Sequence, residues 1–148
     1  MVRITSERHT DILNGYKNGG SRYNEWAEKA LGLILLEKWE WGALTFRWEI
    51  DERFVMPDGV VFGGHIASVA DHIASLAAMS VLTDNRERFR TSQLEVNYFR
   101  PLMRPRALIE ARVTNASKTL IHIEADLYNA DDKLAARIYA TEVRRMTG

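Results

Sequence analysis

The spacing of hydrophobic residues first predicts two short helices at the start of the chain. Residues 6–31 are predicted to be helical in two pieces, separated by the polar, glycine-rich segment 18–20. Ser21 is a predicted N-cap of the second helix, and Gly32 is a predicted stop after its last turn. At helical spacing, the second helix presents one apolar stripe for burial. That stripe consists of Tyr23, Trp26, Ala27, Ala30 and Leu31.

From residue 33 the pattern changes to a period of two, which is typical of strands that bury one face. Two alternating runs on either side of Gly42 predict a β-hairpin. The second run is the more regular, since apolar residues at 44, 46, 48 and 50 alternate with polar ones. Alternation returns later in the chain and predicts further strands. These strands cover residues 91–99, 107–114, 119–128 and 133–145, with a turn at 129–132.

A long apolar helix is predicted over residues 64–82, between the hairpin and the later strands. One face carries regularly spaced apolar side chains. They are Ile66, Val69, Ala70, Ile73, Leu76 and Ala77. Because most of the remaining surface is also small or apolar, we expect a second subunit to cover what one sheet leaves exposed. The order of elements predicts an α+β fold in which an antiparallel sheet packs on this central helix.

Composition narrows the possible class of protein. A length of 148 residues predicts one domain. Lysine and arginine number 20, and aspartate and glutamate also number 20. The chain therefore lacks the excess of basic residues that is typical of nucleic-acid-binding proteins. The absence of cysteine excludes disulfides, thiolate nucleophiles and cysteine-based zinc sites. No apolar run predicts a membrane span and the N-terminal segment lacks a signal-peptide core, so we expect a soluble, cytoplasmic protein without a membrane partner.

Asp71 is the candidate catalytic residue within this pattern. It is the sole carboxylate between Asp58 and Asp84, and it lies off the apolar stripe of the predicted central helix. Its helical neighbours are all small, which places the carboxylate in a shallow notch. These neighbours are Ala67, Ser68, Ala74, Ser75 and Ala78. A partly desolvated carboxylate can act as a general base or a nucleophile. The alternative is an aspartate on the helix surface, or one that caps a loop or pairs with an arginine across a dimer interface.

The glycine pair Gly63-Gly64 opens the same helix two turns before Asp71. Glycine lets another group approach the backbone closely, and free N–H groups at a helix start favour a negative charge. A carboxylate and a possible oxyanion site in one short segment indicate acyl transfer or hydrolysis.

The order of these residues resembles that of the hotdog-fold acyl-CoA thioesterases, particularly the phenylacetate-degradation (PaaI-like) branch. Gly59, Gly63, Gly64 and Asp71 match the family motif in type and spacing. The segments 96–101, 111–113 and 133–136 resemble the later strands of the family. The resemblance covers roughly residues 33–146, so residues 1–32 would be an N-terminal helical extension of a single 1–148 domain. It implies a hotdog fold, with an antiparallel sheet wrapped around the long helix.

The resemblance also implies an activity, which is hydrolysis of an acyl-CoA to the free acid and CoA without a cofactor. Asp71 would be the general base or nucleophile, and the Gly63 N–H would stabilise the oxyanion. Thr91, counted back from Pro101, holds the position of an assisting hydroxyl. In the family, the acid and the oxyanion glycine of one site come from different subunits. A homodimer, possibly a dimer of dimers, is therefore implied.

The chain departs from the family pattern at two positions. Phe62 replaces the usual histidine before the glycines, and Met56 replaces the usual upstream asparagine. With Gly64, they are predicted substrate contacts at an apolar end of the pocket, and His65 or His72 is a candidate to compensate for the missing histidine. These departures favour an alternative, a non-catalytic acyl-CoA-binding hotdog protein. A dehydratase or hydratase is favoured least, since it needs a histidine at position 62.

The remaining polar clusters allow two interpretations each. His65 and His72 share a helical face and could supply two metal ligands, but a solvated or interface face is favoured, and no metal site is predicted. Arg100, Arg104 and Arg106 follow the predicted 91–99 strand. Arginine binds phosphate oxygens in bidentate fashion, so Arg100 and Arg104 are candidate contacts for CoA phosphates. A solvated loop is the alternative.

Overall fold

The computed structural model describes residues 3–148 and begins with two helices, as predicted. They are α1 (Glu7–Asn18) and α2 (Arg22–Ala30). Ser21 caps α2, because its side chain accepts a hydrogen bond from the Asn24 N–H while the Asn24 side chain reaches back to the cap. Gly32 follows the end of α2 with φ of 111°, a backbone conformation that favours glycine. The predicted cap and stop are therefore both present.

The predicted apolar stripe of α2 is only partly buried. Ala27 and Leu31 are in the core, whereas Ala30 is exposed and Tyr23 and Trp26 are 43% and 54% exposed. The prediction was wrong for these three residues, because only one edge of α2 packs against the sheet. The two aromatic rings instead line a cavity, which is described below.

Six antiparallel strands form one sheet. They are β1 (Leu33–Glu40), β2 (Ala43–Glu49), β3 (Glu87–Tyr98), β4 (Arg106–Ala116), β5 (Leu120–Tyr128) and β6 (Leu134–Met146). Their order in space is β1-β2-β4-β5-β6-β3, so β3 lies at one edge with β6 as its neighbour. The hairpin and all the later strands were predicted. The strand β3 begins at Glu87 and not at residue 91 as predicted. The reason is that the buried position 87, where alternation would place an apolar residue, carries a glutamate that pairs with Arg144 at 2.7 Å.

The long helix α3 (Gly63–Met79) lies across this sheet and contacts β3, β4, β5 and β6. Every residue of its predicted apolar face is buried. The helix α1 packs on α3 as well, so the same chain covers part of the surface that was expected to need a second subunit. A six-stranded antiparallel sheet around one central helix, with two helices before it, is the predicted α+β hotdog arrangement.

The core lies between α3 and the inner face of the sheet. On β2, the alternating residues Leu44, Phe46 and Trp48 are buried, as predicted. On β1, Ile34 lies opposite Trp48 and Leu36 lies opposite Phe46 in the antiparallel register. Burying each such side chain contributes about 1.5–3 kcal/mol. Within residues 3–148, no helix has both the length and the apolarity to cross a bilayer.

Candidate active site

Asp71, Thr91 and Glu142 meet where α3 crosses the edge of the sheet. Thr91 Oγ1 lies 2.7 Å from Asp71 Oδ1 and 3.0 Å from Glu142 Oε1. Asp71 is partly buried, whereas Glu142 is 0% exposed. One hydroxyl therefore joins a carboxyl group from the helix to a carboxyl group from the sheet.

The register of the sheet explains why Thr91 and Glu142 share one face. Thr91 on β3 lies directly opposite Glu142 on β6, and directly opposed residues point to the same side of a sheet. The pairing shifts by one residue between Thr91 and Gln93, which is a β-bulge. A bulge changes the direction of the side chains beside it. Because the residues around Asp71 on α3 are small, its carboxylate can reach the Thr91 hydroxyl.

Glu142 was missed by the sequence analysis, and its environment is unusual for a carboxylic acid. Burial raises the pKa of Glu142 from its ordinary value to about 7; the Thr91 hydrogen bond lowers this pKa, and the nearby Asp71 charge raises it. Its Oε2 atom is buried without a hydrogen-bond partner in the described part of the chain. The signal in the sequence was its position, since residue 142 continues the inward-facing series 136, 138 and 140.

A cavity of about 680 Å³ lies beside Asp71, between the N-terminal helices and β3. Apolar and aromatic side chains form part of its wall. The apolar lining consists of Ile12, Tyr23, Trp26, Leu76, Met79 and Phe89. Four arginines also line it, and they are Arg8, Arg22, Arg88 and Arg90. The cavity thus combines a carboxylate, an apolar wall and a cationic edge.

His72 lies in the wall of this cavity and not on a solvated or interface face, so that prediction was wrong. The helices α1 and α2 cover it: its ring lies 5.5 Å from the Tyr16 ring and 5.7 Å from the Trp26 ring, centroid to centroid. Burial lowers the pKa of His72 to about 4, and the neighbouring Asp71 opposes this shift. The imidazole is therefore neutral at pH 7.

The side chains of His65 and His72 share no hydrogen-bond or aromatic contact partner among the described residues. The Nε2–H of His65 donates to the carbonyl of Leu31 at 2.8 Å, and the His65 ring stacks on Phe54 at 3.8 Å between centroids. Burial lowers the pKa of His65, and the Leu31 hydrogen bond raises it. No group of three or more histidine, aspartate or glutamate side chains suited to a metal ion occurs within residues 3–148.

A second cavity, of about 480 Å³, lies at the start of α3. It brings together four of the predicted substrate contacts, which are Met56, Phe62, Gly64 and His65. Ser68 lines both this cavity and the one beside Asp71. The two cavities therefore lie on either side of Ser68, one next to the helix start and one next to the carboxylate.

The first turn of α3 offers free backbone donors. No side chain caps the helix, and the N–H groups of Gly63 and Gly64 have no hydrogen-bond partner among the described residues. A Cβ at Gly64 would lie 2.6 Å from a ring carbon of Phe62, so that position needs glycine while the ring stays in place. The Tyr98 hydroxyl donates to the carbonyl of Gly63 at 2.6 Å and ties β3 to this helix start. Unpaired N–H groups at a helix start can bind an anionic oxygen.

The two predicted phosphate contacts lie outside both cavities. Arg100 donates to the carbonyl of Leu134 at 2.8 Å. Arg104 donates to the carbonyl of Ile50 at 3.1 Å and lies 3.7 Å from a carboxylate oxygen of Glu52. In this arrangement both side chains stabilise loops, and their contact with CoA stays a prediction.

Comparison with known proteins identifies a family to which this chain is similar. The family model of the thioesterase superfamily matches residues 58–136. A protein of Saccharolobus solfataricus, provisionally named an esterase, is 26% identical over 110 residues, which is 74% of this chain and 72% of that protein. The residues matched by the family model include the glycine pair, Asp71 and Thr91.

Solved structures share the fold at low sequence identity. A phenylacetic acid degradation-related protein of Ralstonia eutropha JMP134, provisionally described as a thioesterase, has a TM-score of 0.77 at 20% identity and covers 93% of this chain and 99% of its own. A hypothetical thioesterase of Streptococcus pneumoniae TIGR4, solved with coenzyme A, has a TM-score of 0.73 at 17% identity and covers 80% and 91%. At these identities the likeness establishes the fold. Since the family model spans more than half of the chain, the protein belongs to the thioesterase superfamily.

Proposed function

We propose that the protein hydrolyses acyl-CoA thioesters to the free acid and CoA, with Asp71 as the general base or nucleophile. The observation that carries this proposal is the position of Asp71, whose carboxylate accepts a hydrogen bond from Thr91 at the wall of a cavity that also has an apolar, aromatic side. The family supplies the reaction class, and the solved neighbour that holds coenzyme A supports CoA as the thiol part of the substrate.

The hydrogen bond from Thr91 leaves Asp71 suited to accept a proton. It occupies Oδ1, while Oδ2 forms no hydrogen bond within residues 3–148. As a base, Oδ2 takes a proton from a water molecule as that water attacks the thioester carbonyl. As a nucleophile, Asp71 attacks the carbonyl itself, and water then hydrolyses the resulting anhydride. In both routes the CoA thiolate leaves and negative charge develops on the carbonyl oxygen.

That developing charge needs a donor, and the free Gly63 N–H is the proposed one. Removing one such donor typically costs about 3–4 kcal/mol of transition-state stabilisation. Gly63 and Asp71 are eight residues apart on one helix, which is ~12 Å along its axis. A single carbonyl group cannot contact both residues of the same helix. As the family resemblance implies, the oxyanion glycine of each site is proposed to come from a second copy of the chain, so the proposed active form is a homodimer with two equivalent sites.

The edge strand β3 supports this dimer. It has β6 on one side, and its other side carries backbone N–H and C=O groups that a second strand can pair with. Tyr98 and Phe99, at the end of this strand, are 51% and 53% exposed. Pairing two copies of β3 would cover these rings and bring the helix start of one copy near the carboxylate of the other. A dimer of dimers remains compatible with this interface.

The shape and lining of the cavity indicate the class of acyl group. Trp26, Phe89 and Leu76 form an apolar wall beside Asp71, which suits a hydrophobic acyl chain or an aromatic acid. Phe62 and Met56 make the second cavity apolar as well. The arginines at the edge of the first cavity suit the anionic phosphates of CoA. The likeness to the phenylacetic acid degradation-related protein supports placement in the PaaI-like branch.

A thiol-release assay over short, long, branched and aryl acyl-CoAs tests the proposed function. We expect turnover with hydrophobic acyl groups and a loss of at least about a hundredfold in kcat for Asp71→Asn, because the amide cannot accept a proton. Asp126→Asn is not a suitable control, since Asp126 forms two ion pairs. The exposed Asp131→Asn serves instead. Equal kcat for wild type and Asp71→Asn would remove Asp71 from the mechanism.

One observation favours a second function, the binding of acyl-CoA without hydrolysis. Phe62 is 59% exposed at the position where the family usually has a histidine, so this chain offers no polar side chain there. A non-catalytic protein would raise its melting temperature with acyl-CoA and release no thiol. Thiol release that depends on Asp71 would exclude this alternative.

A further inference from the structure

Glu142 is the buried carboxyl group that the proposed mechanism has not used. We propose that Glu142, in its protonated form, donates a hydrogen bond to Thr91 Oγ1, so that the hydrogen of the Thr91 hydroxyl is directed to Asp71. Glu142 is then a positioning residue that acts through Thr91. This inference rests on the proposed function in one respect, the role of Asp71 in hydrolysis.

The number of hydrogens available leads to this arrangement. The Thr91 oxygen lies within hydrogen-bond distance of both Asp71 and Glu142, but a hydroxyl group carries a single hydrogen. If both carboxyl groups were ionised, one of them would face the lone pairs of Thr91 without a donor between them. If Glu142 carries a proton, it donates to Thr91 and Thr91 donates to Asp71. The second arrangement gives the Thr91 oxygen a hydrogen bond on both sides. One proton on Asp71 would give the same count, but Glu142 is fully buried and Asp71 is only partly buried, so the proton is assigned to Glu142.

The surroundings of Glu142 favour the protonated form. Ile121 on β5 and Thr91 on β3 lie directly opposite it in the sheet, and neither side chain is charged. From α3 the facing charged group is Asp71, which has the same sign as ionised Glu142. Within residues 3–148, no lysine, arginine or histidine forms an ion pair with Glu142. An ionised carboxylate in this position would have an unpartnered oxygen, Oε2, in an apolar setting.

The protonation state of Glu142 should then determine how firmly the Thr91 hydrogen bond holds the Asp71 carboxylate in place. Because the pKa of Glu142 is raised to about 7, chiefly by burial, its proton is present at acidic pH and is lost as the pH rises through 7. The ionised form accepts a hydrogen bond, so it competes with Asp71 for the single hydrogen of Thr91. We expect hydrolysis to weaken on the alkaline side for this reason.

Two substitutions distinguish the effect of the hydrogen-bond donor at position 142 from the effect of side-chain volume. In Glu142→Gln, the amide N–H can donate to Thr91 at every pH, whereas Glu142→Leu keeps the volume and has no donor. We expect Glu142→Gln to keep kcat near the wild-type value at pH 6 and to lose the decline above pH 7. We expect Glu142→Leu to lower kcat about tenfold, equivalent to ~1.4 kcal/mol, with little change in KM. An unchanged alkaline decline in Glu142→Gln, or wild-type kcat in a folded Glu142→Leu, would overturn the proposal.

A measurement without turnover keeps the proposal independent of the proposed function. The carboxyl carbon of Glu142 can be followed by carbon-13 NMR across pH, and the signal absent from Glu142→Gln identifies it. We expect a midpoint near 7 that falls in Asp71→Asn, because a neighbouring negative charge is removed. Titration at the ordinary glutamate value of about 4.3 would refute the protonated donor. A midpoint near 7 in a protein that hydrolyses no acyl-CoA would refute the proposed function and leave the hydrogen bond in place.

Discussion

Tyr16 holds the buried His72 in one tautomer. The Tyr16 hydroxyl donates to the carbonyl of Ile34 at 2.8 Å, because a carbonyl oxygen can only accept. Its oxygen therefore accepts from Nε2–H of His72, 3.0 Å away. This chain of hydrogen bonds joins α1, β1 and α3 beneath the cavity, so the N-terminal helices are a structural part of the candidate site.

Removing the Tyr16 hydroxyl should destabilise the protein without changing its fold. In Tyr16→Phe, the Nε2–H of His72 and the carbonyl of Ile34 lose their partner inside the core. We expect a loss of about 1–3 kcal/mol in the free energy of unfolding, measured by urea denaturation. Tyr139→Phe, at an exposed position, is the matched control. Equal stability of the two variants would show that water satisfies both groups in Tyr16→Phe.

The buried His72 should make the protein sensitive to acid. Burial lowers the pKa of His72 from 6.5 to about 4, so the unfolded chain binds a proton more readily than the folded one between these values. The stabilisation is present above pH 6.5 and is lost as the pH falls through 4, by roughly 3 kcal/mol in total. Urea denaturation at pH 7.0, 5.5 and 4.5 measures this loss. We expect a smaller loss in His72→Gln than in His122→Gln, and equal losses would contradict this assignment.

The hydroxyl of Thr91 is expected to matter for catalysis and its methyl group much less. Thr91→Val keeps the shape of the side chain but leaves Asp71 without its hydrogen bond, which is worth about 1.5–3 kcal/mol to a charged partner. We expect kcat to fall by about ten- to a hundredfold in Thr91→Val and to stay near wild type in Thr91→Ser. Ser92→Ala, next along β3, removes a hydroxyl that bonds to the carbonyl of Thr141 and serves as the control. A wild-type kcat in Thr91→Val would exclude the role of the hydroxyl.

Gly63→Pro offers a way to delete one backbone donor. Gly63 is the first residue of α3, a position that tolerates proline because its N–H has no partner inside the helix. We expect kcat to fall about 10²–10³-fold, as for the loss of an oxyanion donor, with circular dichroism unchanged.

Mixing this variant with Asp71→Asn tests whether the site is shared between subunits. After subunit exchange, each mixed dimer contains one site with both native groups and one site with neither. We therefore expect about a quarter of wild-type activity from an equal mixture of two nearly inactive proteins. No recovery, in a sample shown by mass spectrometry to contain mixed dimers, would place both groups of a site in one chain.

Trp26 should contribute to binding the acyl group more than to stability. Its ring is 54% exposed at the cavity wall, so Trp26→Ala removes little core contact. We expect KM for a preferred hydrophobic acyl-CoA to rise about tenfold, because a side chain of this size contributes about 1.5–3 kcal/mol of apolar contact. KM for acetyl-CoA should change less. A similar rise for both substrates would indicate that Trp26 does not contact the acyl chain.

Patterns between near neighbours in the sequence were sufficient for the elements and for part of the site. The alternation in β2, the apolar face of α3 and the cap at Ser21 depend on residues a few positions apart. The spacing from Gly63 to Asp71 is likewise local, and it marked the helix start and the carboxylate. The early start of β3 was not predictable in this way, because the Glu87–Arg144 ion pair joins residues 57 positions apart.

The amino-acid sequence by itself thus determined which segments are helices and strands and which carboxylate stands among small residues, because these properties follow from backbone periodicity. Tertiary structure alone decided that Thr91 bridges Asp71 and Glu142, which lie 20 and 51 residues from it along the chain. It also decided that His72 is buried beneath α1 and α2 and that Tyr23 and Trp26 face a cavity. The physical reason is that burial and hydrogen bonding depend on which distant surfaces meet, and the order of strands in the sheet sets that.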